Sequence, residues 1–157
     1  MKKTFFLFGV LLATTFTVSS QEISKNAIGI RFGDNSGLGA EVSYQYKIKD
    51  LNRLEINLGL RNNNTINSYK ATGIYQWVWP IENRFNWYAG IGGGIGSWKE
   101  KFTNSSETFL FGTGDIGIEY NFEIPLLVSL DFRPEFGLSD LYKGYNTDIA
   151  LSVRYQF

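Results

Sequence analysis

The apolar residues of this chain recur with a period of two, a pattern that a β-strand can use and an α-helix cannot. It is clearest over residues 38–46, LGAEVSYQY, where Leu38, Ala40, Val42, Tyr44 and Tyr46 point one way and Gly39, Glu41, Ser43 and Gln45 the other. Leu54, Ile56, Leu58 and Leu60 alternate with Glu55, Asn57, Gly59 and Arg61. Val128, Leu130, Phe132, Pro134 and Phe136 alternate with Ser129, Asp131, Arg133 and Glu135, and Ile149, Leu151, Val153, Tyr155 and Phe157 with Asp148, Ala150, Ser152, Arg154 and Gln156. Less regular runs fill the gaps at 27–33, 69–79, 85–97 and 108–122. After Gln21 no segment carries apolar residues at helical i, i+3, i+4, i+7 spacing. Eight strands are expected, most of them close to the roughly 9–11 residues that a tilted membrane-crossing strand needs.

The first twenty residues, MKKTFFLFGVLLATTFTVSS, follow another logic. Lys2 and Lys3 precede an apolar run over 5–13, and small and polar residues follow up to Val18-Ser19-Ser20. That run is too short to span a bilayer, which takes about 20 residues, so 1–20 read as a cleaved signal peptide and 21–157 as one domain. Removing two lysines from 15 basic residues leaves 13 against 15 acidic ones. Such a balance gives no electrostatic case for a nucleic-acid partner. The absence of cysteine excludes a disulfide framework, thiol redox chemistry and a lipid-accepting cysteine.

The connections alternate in character. Those at 50–52, 80–84 and 123–125 are short, whereas 61–68 (RNNNTINS), 98–107 (WKEKFTNSSE) and 137–146 (GLSDLYKGYN) are longer and polar; 34–36 is the short exception on the long-loop side. Short turns at one rim and long loops at the other suit a barrel that crosses an outer membrane. Tyr44, Tyr46, Tyr75, Trp77, Trp79, Phe85, Trp87, Tyr120 and Phe122 would gather near the short-turn rim as an interfacial girdle. The apolar face would then meet lipid. The other face would line the lumen with Arg31, Glu41, Glu55, Arg61, Lys70, Asp115, Glu119, Asp131, Arg133, Glu135, Asp148 and Arg154, which include both signs and can pair. Pro134, lacking a ladder donor, is expected near a rim or at a bulge. The acceptor patterns Asn63-Asn64-Thr65 and Asn104-Ser105-Ser106 read as polar surface loops.

The stretch WYAGIGGGIGSW (87–98) invites a phosphate-loop reading. The dinucleotide fingerprint needs glycine at i, i+2 and i+5, but the third position falls on Ile95, Ser97 or Lys99 and no helix follows. As a strand, it puts Gly90, Gly92, Gly94 and Gly96 inward, a wall that leaves room in a narrow barrel for long charged side chains from the opposite side. A thin water path along that wall is the functional alternative. With no histidine and no cysteine, neither a Ser–His nor a Cys–His nucleophile can be assembled, and zinc would have only carboxylates. The pairs Asp131 with Glu135 and Asp115 with Glu119 would lie about 13 Å apart along a strand, too far to share a proton. No catalysis and no cofactor are expected.

Across 27–157 the chain resembles the small eight-stranded outer-membrane β-barrels, the OmpA/OmpX-like group. Its terminal strand, with Val153, Tyr155 and a final Phe157, resembles the C-terminal signal that barrel-assembly machinery reads. The resemblance implies an all-β, eight-stranded antiparallel up-and-down transmembrane β-barrel in the outer membrane of a Gram-negative-type bacterium, in contact with lipid and lipopolysaccharide. It does not extend to a peptidoglycan-binding domain, which puts a cell-wall tether in doubt. Three roles are weighed: a structural or surface-interaction barrel whose loops meet a ligand, a narrow channel for small solutes, and a soluble periplasmic barrel with its apolar face inward. The first is favoured.

Overall fold

Each alternating run pairs with the next in sequence. The structure, a computed structural model, describes residues 23–33, 39–62, 66–100, 106–139 and 144–157. Its strands are β1 (Asn26–Gly33), β2 (Gly39–Lys49), β3 (Asn52–Asn62), β4 (Ile66–Glu82), β5 (Phe85–Glu100), β6 (Ser106–Asn121), β7 (Leu126–Gly137) and β8 (Tyr145–Gln156). All neighbours are antiparallel, and β1 also pairs with β8, Ala27 opposite Gln156 and Gly33 opposite Ala150. The sheet therefore closes into an up-and-down barrel with no open edge, which removes the unpaired N–H and C=O groups that hydrocarbon cannot satisfy. Asn26 and Phe157 seal the seam by exchanging backbone hydrogen bonds of 3.0 and 2.9 Å.

One rim gathers both ends of the closed seam and the tight connections. Glu82 pairs with Phe85 across a two-residue turn in which Asn83 takes φ 51°, a left-handed conformation that asparagine tolerates. The opposite rim is longer than the sequence reading allowed. Strands β4, β5 and β6 run for 17, 16 and 16 residues, and with the ends of β3, β7 and β8 they take parts of 61–68, 98–107 and 137–146 into ladders rather than loops. Past the apolar band neither face has to be apolar, so the period-two pattern fades while the backbone keeps pairing.

The faces are sorted by polarity, inside out with respect to a water-soluble protein. Ile91 is 64 % exposed on the outer wall and Arg154 is 0 % exposed in the lumen. Val42, Leu58, Leu130 and Ile149 are likewise exposed, whereas Arg31, Arg53, Glu55, Asp131 and Arg133 are buried. A continuous apolar exterior on that scale belongs in lipid. The soluble reading, with the apolar face inward, is thereby overturned. At the short-turn rim Trp79 stacks on Trp87 at 4.4 Å, Phe85 packs on Tyr120 at 4.7 Å, and Tyr120 on Phe122 at 4.7 Å, forming an aromatic girdle. Pro134 lies three residues from the end of β7, opposite Thr147 of β8. On its other side the β6–β7 ladder skips two rows between Thr113↔Glu135 and Ile116↔Phe132 without a change of register. Gly114 stands beside the ring there, and a Cβ on it would come 3.2 Å from the Pro134 Cγ.

Candidate functional site

The lumen is where this chain concentrates its chemistry, because every strand turns alternate residues into it. Glu55 on β3 is the hub. It accepts hydrogen bonds from Gln45 (2.7 Å), Asn57 (3.0 Å), Gln76 (3.1 Å) and Arg133 Nη2 (2.5 Å), and its Oε1 lies 3.2 Å from Arg154 Nη2. Arg154 also donates to Ser43 Oγ at 2.9 Å and Ser129 Oγ at 2.8 Å, linking β8 to β2 and β7. Arg133 reaches Asp115 at 3.2 Å and Asp131 at 3.4 Å. Gln76 ties Asp115 (2.5 Å) to Glu55 and accepts from Arg53 Nε at 2.6 Å. Near the short-turn mouth Arg53 Nη2 sits 2.7 Å from Glu119 Oε2, an ion pair without a well-directed hydrogen bond, and Asn86 donates to Glu119 at 3.1 Å.

Toward the long-loop mouth the balance changes. Arg31 is gripped by three carboxylates: Asp131 at 2.5 Å, Asp148 at 2.7 Å and Glu41 at 3.2 Å. Lys70 pairs with Glu135 and lies 4.9 Å over the Phe111 ring. Arg53, Arg133 and Arg154 match Glu119, Asp115 and Glu55 one for one, so the excess of carboxylate among the described side chains falls on Arg31. Above Arg31 a cavity of about 220 Å³ opens toward this mouth. Four ion-pair clusters thus occupy the lumen in sequence; their charged members come from seven strands, and β5 joins through Asn86.

Nine of the ten residues singled out as a lumen network sit in these clusters: Arg31, Glu41, Glu55, Asp115, Glu119, Asp131, Arg133, Glu135 and Arg154. The tenth, Arg61, belongs to β3, and its side chain lies outside the described residues. Arg53 joins them from just before the alternating run that begins at Leu54, and its parity with Glu55 and Asn57 is the sequence signal that marks it. Asp131 with Glu135 and Asp115 with Glu119 each bind separate cations, Arg31 and Lys70 in the first case and Arg133 and Arg53 in the second.

The glycine wall has a different occupant from the one anticipated. The Phe111 ring crosses Gly94 and the Phe109 ring crosses Gly96, each from the directly paired position on β6, while Gly92 presses against the backbone of Gly73 on β4. Tyr88 does the converse, laying its ring over Gly117 on β6. These are cross-strand aromatic–glycine pairs turned inward, and they fill the space that charged side chains from the far wall were expected to take. At Gly90 a Cβ would stand 2.8 Å from Ile74 Cγ2. Among the described residues, side chains or backbone thus stand against Gly90, Gly92, Gly94 and Gly96. Val153, Tyr155 and Phe157 face outward at the seam strand, exposed to the surroundings of the barrel.

Solved structures share this architecture. The N-terminal β-barrel domain of Pseudomonas aeruginosa OprF matches with a TM-score of 0.71 and 13 % identity, over 87 % of this chain and 100 % of that one. Its fold is that of the small eight-stranded outer-membrane barrels. Neisserial surface protein A matches with a TM-score of 0.65 and 14 % identity over 84 % and 94 % of the two chains, and Ail, the attachment invasion locus protein of Yersinia pestis, with 0.57 and 16 % over 85 % and 97 %. No protein-family model and no curated protein sequence matches the chain. Between chains this different in sequence, what is shared is the barrel itself.

Proposed function

We propose that this protein is a non-catalytic outer-membrane barrel whose lumen is sealed by its ion-pair network and whose long-loop end is its working surface. The observation that carries this reading is the inverted polarity: an apolar exterior ringed by aromatics around a lumen in which Arg133 and Arg154, both buried, each pair with the buried Glu55. Residues 1–20 would direct export and be removed, and Val153, Tyr155 and Phe157 would present the last strand to the assembly machinery. The exterior would contact outer-membrane lipid and lipopolysaccharide, with the short turns in the periplasm and the loops available to a surface ligand. A surface role accords with the names of Neisserial surface protein A and of Ail, the attachment invasion locus protein.

The chain has no cysteine, so single cysteines report cleanly on orientation. Lys99→Cys at the long-loop rim is expected to react with a membrane-impermeant maleimide in intact cells, and Asp50→Cys at the short-turn rim only after the outer membrane is permeabilised. Equal labelling of both in intact cells, or recovery of the protein without detergent, would contradict the proposal.

A further inference from the structure

We propose that the short-turn rim beside the seam carries a site for an anionic glycerophospholipid, with the phosphodiester on Lys25 and Lys49 and the acyl chains along the outer wall. This rests on the barrel spanning a membrane, but not on which rim faces the periplasm. The observation behind it is a row of like charges. Asn26 stands opposite Tyr46 in the β1–β2 ladder, and one step beyond it Lys47 N donates to Lys25 O at 2.9 Å, so the two lysines face each other across the pair. On the other side of β2, Lys47 is opposite Arg53 of β3. Three cations thus share one cross-strand row, and Lys49 follows Lys47 on the same face of β2. Like charges placed directly opposite are destabilising unless an anion answers them.

Within the chain that answer is incomplete. Arg53 has Glu119 at 2.7 Å. Lys47 has Asp50 at 3.5 Å, but the Asp50 side chain is 95 % exposed, so water screens the pair. Among the described residues Lys25 and Lys49 make no ion pair, and both are exposed. The three lysines border a recess of about 570 Å³ whose walls also include Asp50, Ile48 and Phe157. Setting Asp50 and a carboxyl at Phe157 against the lysines still leaves one cation in excess. Ile48 and Phe157 are exposed on the outer wall, where Tyr46 and Tyr155 continue the apolar surface toward the bilayer. A recess that is cationic on one side and opens onto a lipid-facing wall on the other fits an anion joined to hydrocarbon. A soluble anion would use the lysines and leave the apolar side without a partner.

The probe is dihexanoylphosphatidylglycerol, titrated into the protein folded in nonionic detergent and read by the amide resonances of Lys25, Lys47 and Ile48. Saturable shifts are expected at these residues, and none with dihexanoylphosphatidylcholine, whose headgroup carries no net charge. Lys25→Gln and Lys49→Gln should each weaken binding roughly fivefold, the share of one lysine beside an anionic lipid, while Lys99→Gln at the other rim leaves it unchanged. Glycerophosphoglycerol, the same headgroup without chains, should bind at least about tenfold more weakly. Heat-modifiable electrophoretic mobility identifies folded variants, and the comparison of lipids on the wild-type chain needs no variant. Equal shifts with phosphatidylcholine, wild-type affinity in both folded variants, or equal affinity for the chainless headgroup would overturn the assignment. Insertion of the barrel would stand in each of those cases.

Discussion

Replacing Glu55 by alanine tests the sealed lumen most severely. In the folded chain this carboxylate is the charge partner of Arg154 (3.2 Å) and a partner of Arg133 (2.5 Å). Arg133 retains Asp115 and Asp131, but Arg154 keeps only two serine hydroxyls among the described residues. Stranding one buried guanidinium costs about 3–5 kcal/mol, whereas the same change in a water-filled pore would be screened to about 1 kcal/mol or less. With a urea slope of about 2 kcal/mol per molar, the sealed lumen predicts a fall in midpoint of roughly 2 M. The assay is reversible urea unfolding in lipid vesicles, followed by the fluorescence of Trp77, Trp79 and Trp87 on the outer wall. Adding Arg154→Met to the variant should recover part of the loss, because it removes the stranded charge. A midpoint shift below about 0.5 M for Glu55→Ala, equivalent to about 1 kcal/mol at that slope, would refute the reasoning.

Three further outcomes are expected. Gly92→Ala should destabilise the barrel by about 3 kcal/mol or prevent folding, since its Cβ would enter the Gly73 backbone, while Gly73→Ala, with nothing within 4 Å, should stay within about 0.5 kcal/mol on the same urea assay. Trp79→Ala and Trp87→Ala should couple by about 1 kcal/mol in a double-mutant cycle, reflecting their stack at 4.4 Å. Phe157→Ala should lower the amount assembled in cells, measured by heat-modifiable mobility, yet leave refolding of the purified chain into vesicles largely intact; an equal loss in both would deny the residue an assembly role.

Much of the barrel can be read from the sequence because the rule that builds it is local. In β2, β3, β7 and β8 apolar and polar residues largely alternate, with Leu127 and Ala150 as apolar residues on the inner face, and burial follows the same parity. The rule weakens where its cause does. Beyond the lipid, β4, β5 and β6 continue through Ser68, Lys99 and Glu107 with no apolar face to maintain, so their ends read as loops. Parity also says which residues enter the lumen but not which ones meet there. Arg31 binds Asp131 and Asp148, 100 and 117 residues away, and those encounters depend on barrel closure and strand stagger. Aromatic side chains hid the remainder: Tyr88, Phe109 and Phe111 share the inward parity, but only the register across β5 and β6 sets each ring over a glycine.

The most direct test of the sealed barrel is electrical. The chain, reconstituted into a planar bilayer with insertion verified by heat-modifiable mobility, is predicted to give no resolved unitary current at either polarity. Steady, discrete openings from the wild-type protein would contradict the account, which takes the contacts running from Arg53 through Gln76, Glu55, Arg133 and Asp131 to Arg31 as the seal.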